Sequence, residues 1–329
     1  MNRARRVPTM LAALLGLVAV SQALASTHEL SGTLTSAGSD SLGALLWRWS
    51  EAFGSAHPSV RFQMQALGSA TAPAALLEGA TDFGVMSRVM SSHEEQAFTD
   101  RYGYPPTRIK VALDAIVIFV NPDNPLTQIR IDQLDAIYSV TRRCGADRPI
   151  GFWNALSDSG GSTERSGHHA ILAIGRNAAS GTHEHFRIDA LCNGRFRDDV
   201  VEWPGNGAVV DAVAENPDAI GYAAMAFVNG RVRTLALAAT ARQTANAVPD
   251  SASIEQPVSA TPETVRSGQY PLARAMYVYL NHAPQRKVAE LPRAFIEFIL
   301  SSEGQTIVAH EGFIPLAASD LSTERARVQ

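Results

Sequence analysis

The sequence predicts an α/β protein of two lobes, each a central sheet flanked by helices, with a cleft between them. Three observations carry this. Short apolar runs suited to buried strands alternate with segments of helical periodicity along the chain. Strand–turn–helix junctions repeatedly place a Gly-Ser or Ser-Gly pair at the helix start: Gly38-Ser39, Gly68-Ser69 and Ser180-Gly181, with Ser87-Arg88 at a fourth junction. Finally, a long apolar strand over 112–120 reads as a crossing from one lobe to the other, and a strong strand over 275–281 as the return. This assigns 26–112 plus 275–329 to one lobe and 113–274 to the other. With 329 residues, 46% hydrophobic and 18% charged, the chain can bury two cores of ordinary size.

The first 25 residues read as an export leader. Arg3, Arg5 and Arg6 precede an apolar run over 10–20, and Ala23-Leu24-Ala25 supplies a small-x-small cleavage pattern. That run is shorter than the roughly 18 residues a membrane span needs. The mature chain is expected to begin near Ser26 as a soluble exported protein, with no Cys at the cleavage point to carry a lipid. The net charge of −4 gives no general attraction for nucleic acid or acidic membranes, so any anion site must be local. Cys144 and Cys192 are the two cysteines. In an exported chain they read as a bridge, with two buried free thiols as the alternative.

In chain order, a strand over 30–35 ends at Ser36-Ala37-Gly38-Ser39-Asp40-Ser41. Leu42, Leu45, Leu46, Trp49 and Phe53 then mark a helix over 41–53 with Ser39, Asp40 and Ser41 as cap candidates. A strand over 60–65 runs through Gly68-Ser69 into a helix over 72–78 carrying Pro73 in its first turn. A third strand, 82–86, leads through Ser87-Arg88 to a helix starting near Ser91-Ser92. Beyond the crossing strand, which carries Asp114, lie a helix over 131–138 and a Gly/Ser-rich loop over 153–168.

The organising stretch is 171–182. An apolar strand ends in Gly175-Arg176, and small residues lead to a helix over 182–191. Ser180 and Gly181 stand where backbone N–H groups lack intrahelical partners and the helix dipole is positive, which suits an anion. Arg176 adds a charged planar fork. A strand near 200–203, the turn Gly205-Asn206-Gly207, a helix over 208–214 and a short strand with Gly221-Tyr222 follow. Residues 239–268 read as a surface excursion, and helices over 288–300 and 303–310 close the chain. All four Ser-bearing turns fall at the carboxyl ends of strands, where α/β sheets hold ligands. Several helix starts are therefore expected to converge on one small, multiply bonded anion.

The ordered set Ala37-Gly38-Ser39-Asp40-Ser41, Gly68-Ser69-Ala70-Thr71-Ala72-Pro73, Met86-Ser87-Arg88, and Arg176 followed by Ser180-Gly181-Thr182 resembles the PstS family, periplasmic phosphate-binding proteins of ABC importers. The likeness runs from about Gly32 to Pro315. Arg142-Arg143-Cys144-Gly145 and Ala190-Leu191-Cys192 resemble a branch with a Cys pair at these places, which supports the bridge. The resemblance implies a type II periplasmic binding protein fold that closes on dehydrated phosphate. It implies donors from Ser39, Ser41, Ser69, Arg176, Ser180, Gly181 and Thr182, with Asp40, Ser87 and Arg88 in the same turns. It also implies an ABC-type membrane permease as partner, a monomer, and no cofactor, metal, nucleic acid or catalytic residue. Two departures bear on selectivity. Ala70 stands where a second Ser is frequent. Ser87-Arg88 occupies the region in which the best-known members carry an Asp that accepts the proton of hydrogen phosphate. Asp40 and Asp114 are the candidates for that acceptor.

Two other readings compete with this one. The same fold can take another tetrahedral oxyanion. Ser180 with His183 and His185 nearby suggests an exported phosphate-ester hydrolase. Its flanks do not match Gly-x-Ser-x-Gly, however, and both His are expected to face solvent on the helix. His183-Glu184-His185 lacks the i,i+4 spacing of a zinc motif. Trp47, Trp49, Trp153 and Trp203 are expected in the core or cleft wall.

Overall fold

The computed structural model describes residues 29–159, 169–239 and 256–328. The leader expected at 1–25 and its cleavage point lie outside these residues, as do parts of the two irregular stretches (160–168 and 240–255). In chain order the elements are β1 (Gly32–Gly38), α1 (Gly43–Ala56), β2 (Val60–Gln65), α2 (Thr71–Leu77), β3 (Phe83–Met86), α3 (Ser92–Tyr102), β4 (Thr107–Val120), β5 (Gln128–Arg130) and α4 (Ile131–Tyr138). Then come β6 (Leu172–Arg176), α5 (Gly181–Asp189), β7 (Val201–Trp203), α6 (Asn206–Glu215), β8 (Ala219–Ala224), β9 (Arg233–Thr234) and β10 (Ala236–Ala238). The chain ends with α7 (Pro262–Arg266), β11 (Ala273–Leu280), α8 (Glu290–Ile299), α9 (Ser302–His310) and α10 (Ala318–Ala326).

One curled mixed sheet runs β2-β1-β3-β11-β4-β8-β6-β7, with β9 alongside β4; β5 and β10 form a separate pair. β1, β2 and β3 are parallel, as are β6, β7 and β8, so each set delivers its turns to one edge. β4 joins the two sets. Its first part pairs antiparallel with β11 and its last five residues with β8.

Two cores lie on either side of this crossing. In the first lobe, α1 buries Leu45, Leu46, Trp49 and Phe53 against β1, β3, Val111, Met276 and Phe295. The Trp49 indole donates to the Gly304 carbonyl at 2.9 Å, which satisfies its one polar atom. In the second lobe, Ile116, Leu134, Tyr138, Phe186, Leu191, Tyr222 and Leu272 share a core, and Leu113 packs against both cores. Cys144 and Cys192 are bridged, closing a separation of 48 residues across Cα atoms 5.4 Å apart.

Several expectations need correction. β4 starts at Thr107, five residues before the expected 112, because Arg108 and Lys110 interrupt the apolar run without interrupting the ladder. The excursion over 239–268 contains α7, which Thr261 caps and which sends Val265 into the second core. α10 was not expected; its helical face is mostly polar, and its Glu324 is held by the Lys110 amide at 3.1 Å. Trp49 is core, but Trp47 is 60% exposed and Trp203 41%.

Candidate anion-binding site

The turn after β1 forms because Ser39 N–H donates to the Val85 carbonyl at 2.8 Å, extending the pairing of β1 with β3 by one bond. A single 3-10 turn over Asp40–Leu42 then feeds α1. None of Ser39, Asp40 and Ser41 caps that turn or α1 with its side chain, contrary to expectation, and α2 likewise has Ala70 at its N-cap and no side-chain cap. These polar side chains are left for other partners. Ser180 does cap α5, its Oγ accepting from Thr182 N–H at 3.1 Å.

The structure brings the expected Ser and Thr residues together from both lobes. Ser39, Ser41, Ser69, Ser87, Ser180 and Thr182 are each at most 1% exposed. Ser41 Oγ lies 3.2 Å from Thr182 Oγ1, and Ser69 Oγ lies 3.2 Å from Ser87 Oγ. Gly181 permits the approach: a Cβ there would stand 2.3 Å from Ser69 Oγ and 2.4 Å from Ser87 Oγ. Gly68, at φ +118°, passes so close to the opposite lobe that a Cβ would stand 2.4 Å from the Ala179 carbonyl oxygen. Beside it the Ala70 amide donates to that same carbonyl at 3.2 Å, a backbone bond from one lobe to the other.

Arg176 ends β6 and is 1% exposed. Its backbone amide donates to the buried Tyr222 hydroxyl at 3.3 Å. Nη2 donates to Asp40 Oδ2 at 2.6 Å and to the Pro204 carbonyl at 2.9 Å, and Nε to the Trp203 carbonyl at 3.3 Å. Burial pulls the guanidinium pKa down, and the Asp40 carboxylate opposes that shift. Among the described residues, three buried atoms here have no hydrogen-bond partner: Arg176 Nη1, Asp40 Oδ1 and Ser39 Oγ. Such atoms are costly in a folded protein and call for an explanation.

The remaining hydroxyls are biased toward donating. A hydroxyl has one proton and two acceptor positions. Ser69 Oγ accepts from Ser87 N–H at 3.0 Å, and Ser180 Oγ from Thr182 N–H. Thr182 Oγ1 accepts from Arg274 Nη1 at 3.0 Å. Ser41 Oγ accepts from Asn206 Nδ2 at 2.9 Å, and that amide is oriented because its Oδ1 takes the Ala224 N–H. One acceptor position on each of these four hydroxyls is thus filled by a group that can only donate. The protons of Ser39, of Ser180, of one member of Ser41/Thr182 and of one member of Ser69/Ser87 are left with nothing described to receive them. The cluster is rich in O–H and N–H donors and offers one unpaired carboxylate oxygen. That is the complement of a small oxyanion carrying a single proton.

Two expected residues do not join the cluster. Arg88 follows Ser87, but its Nη1 and Nη2 fork onto Glu94 at 2.7 and 2.6 Å, in the capping box that Ser91 and Glu94 form at α3. Burial pushes the Glu94 carboxyl up, but the bonds from Arg88 and Ser91 outweigh it and hold it below its usual value. Asp114 is 1% exposed, with Oδ2 bound to Arg274 and Oδ1 to Met225 N–H, so it has no oxygen aimed at the cluster. The histidines are not solvent-facing either. His183 stacks on Phe196 with ring centroids 4.3 Å apart, and burial pushes its pKa down to about 4. His185 is half-buried, its Nε2 3.3 Å from Asp189.

Sequence reasoning missed Arg274, Asn206 and Tyr222 as parts of the site. A charged residue at the head of an apolar strand was the available signal for Arg274. Asn206 had none beyond its place in a Gly-Asn-Gly turn.

A model of the PBP superfamily domain matches residues 25–303. The phosphate-binding protein PstS of Pseudomonas aeruginosa is 40% identical over 288 residues, covering 88% of this chain and 84% of that protein. The phosphate-binding protein PstS of Staphylococcus saprophyticus is 23% identical over 300 residues, covering 90% and 84%. A Clostridium perfringens structure with bound phosphate, described as a phosphate ABC transporter substrate-binding protein, superposes with a TM-score of 0.68 at 25% identity, covering 87% of this chain and all of that one. The fold also matches an ABC-type phosphate transport receptor from Vibrio cholerae, with a TM-score of 0.64 at 21% identity over 86% of this chain and 100% of that one. Those relatives share the two-lobed α/β architecture described above, and this chain belongs to the PBP superfamily and, within it, to the PstS phosphate-binding proteins.

Proposed function

We propose that the protein captures inorganic phosphate between its lobes and delivers it to an ABC-type importer, working in the periplasm after removal of the leader at Ala25. The observation that carries this reading is the set of buried atoms without partners: Arg176 Nη1 and Ser39 Oγ as donors, Asp40 Oδ1 as the one acceptor. Ser41, Ser69, Ser180, Thr182 and the amides at the start of α5 supply the other donors. Hydrogen phosphate fits this set because one oxygen donates its proton to Asp40 Oδ1 while the others only accept. Sulfate has no proton to give, and a site built to take one rejects the analogue lacking it by about 10⁴-fold or more. Asp40, and not Asp114, is the selectivity carboxylate in this reading.

The lobes, taken as 26–112 with 275–329 and as 113–274, both touch the anion, so phosphate favours the closed arrangement by its differential affinity. Capture without turnover is the expected chemistry. Ser180 Oγ serves as a helix cap, and among the described residues neither His183, which stacks on Phe196, nor His185 is hydrogen-bonded to it. Calorimetry on the mature chain is expected to show stoichiometric phosphate binding, sulfate binding far weaker, and no turnover of a chromogenic phosphate ester. Absence of phosphate binding at millimolar concentration removes the reading.

A further inference from the structure

Asp114 on β4 and Arg274 on β11 stand directly opposite each other in the antiparallel ladder, where the chain passes between the two cores. Their side chains are 0% and 1% exposed. Arg274 Nε and Nη2 both donate to Asp114 Oδ2, at 2.9 and 2.7 Å, and Asp114 Oδ1 takes the Met225 amide at 3.2 Å. Holding two strands together does not require such a pair, since well-packed apolar residues often serve as well or better. The third arm of the guanidinium shows what else it does. Nη1 reaches the Ser87 carbonyl at 3.3 Å and Thr182 Oγ1 at 3.0 Å. Ser87 follows β3 in the first lobe and Thr182 lies in the first turn of α5 in the second.

We propose that Arg274 is a positioning residue for anion capture: Nη1 fills the acceptor side of the Thr182 hydroxyl, aiming its proton at the ligand, and ties that hydroxyl to Ser87 across the cleft. Nη1 keeps both partners only at the interlobe angle seen here. Opening the cleft strips one of them from a buried cation, so the guanidinium favours closure from the crossing strands, behind the anion. This rests on the phosphate reading above and extends it to a residue outside the Ser-rich turns. Lysine cannot substitute, because one ammonium cannot serve Asp114, Ser87 and Thr182 in the same fork.

The test is a double-variant cycle on the mature chain, with phosphate affinity by calorimetry and ligand-free unfolding measured alongside. Arg274→Lys is expected to weaken phosphate about tenfold or more, and Thr182→Val to weaken it comparably. Combining them is expected to cost clearly less than the product of the two, because the arginine acts through the hydroxyl that valine lacks. An Arg274→Lys protein that binds within twofold of wild type overturns the proposal. So does a full multiplicative loss in the double variant, which is what a merely structural role predicts. If Arg274→Lys does not fold, Asp114→Asn with Arg274→Gln removes both charges together, and unchanged affinity there overturns the proposal equally. Wild-type protein that binds no phosphate removes the functional reading first and this inference with it; wild type that binds while Arg274→Lys binds equally well removes the inference alone.

Discussion

Two arginine–aspartate pairs with buried guanidinium groups sit close together in this molecule and differ in how completely they are bonded. Arg274 and Asp114 are satisfied on every side: all three guanidinium nitrogens and both carboxylate oxygens have protein partners. Arg176 and Asp40 form an equally short contact, yet each keeps one buried atom unpaired, Nη1 and Oδ1. The first pair lies where β4 and β11 cross between the lobes; the second lies between a turn of the first lobe and the end of β6 in the second. A complete pair has no atom left for a ligand and can act on one only through its partners, Thr182 among them, whereas an incomplete one keeps a donor and an acceptor free.

The contrast can be broken by alanine substitution. Arg274→Ala leaves Asp114 charged and unpaired in the interior, and is expected to lower ligand-free stability by about 3–5 kcal/mol in urea unfolding. Arg176→Ala is expected to reduce phosphate affinity by about 2–5 kcal/mol in calorimetry, with a smaller loss of ligand-free stability than Arg274→Ala. Reversal of that order would show that the unpaired atoms do not mark the ligand.

Asp40→Asn sharpens the comparison by changing one atom of the incomplete pair. It turns one carboxylate oxygen into an amide that cannot accept, so phosphate affinity should fall by about 1–3 kcal/mol while sulfate falls less, and the phosphate-to-sulfate ratio should shrink. An unchanged ratio would move selectivity away from Asp40.

The smallest effect concerns α5, which presents Ser180 and Thr182. Burial holds His183 near pKa 4, below the value of about 6.5 for an unfolded chain. Below pH 6.5 the unfolded state takes the proton first, so stability contributed by neutral His183 is lost as pH falls toward 4. Asp189, raised to about 6 by burial, works in the opposite direction over the same range. Thermal melts of His183→Gln should therefore lose less stability between pH 6.5 and 4.5 than wild type.

Much of the site was legible from residue type at strand ends. Ser39, Ser41, Ser69, Ser180 and Arg176 were expected near one point and do lie buried together, because small polar residues after an apolar run have few structural alternatives. Arg88 was misplaced because adjacency to Ser87 says nothing about where a long side chain turns, and Glu94, six residues on, claimed it. Arg274 was missed because the strand was read from Ala275, and its partner Asp114 is 160 residues away. The cap expectation for Ser39, Asp40 and Ser41 failed for an informative reason. α3, α7 and α9, away from the cluster, use Ser91, Thr261 and Ser301 as caps, whereas α1 and α2 forgo side-chain caps at the site. Ser180 is the exception, capping α5 from within the cluster as expected.

The Ala70 amide, bonded to the Ala179 carbonyl of the opposite lobe, gives this molecule a built-in gauge. Both groups belong to the main chain, so every sequence variant of the surrounding side chains retains them. Deuterium uptake at that single position should therefore track the fraction of time the two halves spend apart, with no dye, tether or altered residue needed to read it.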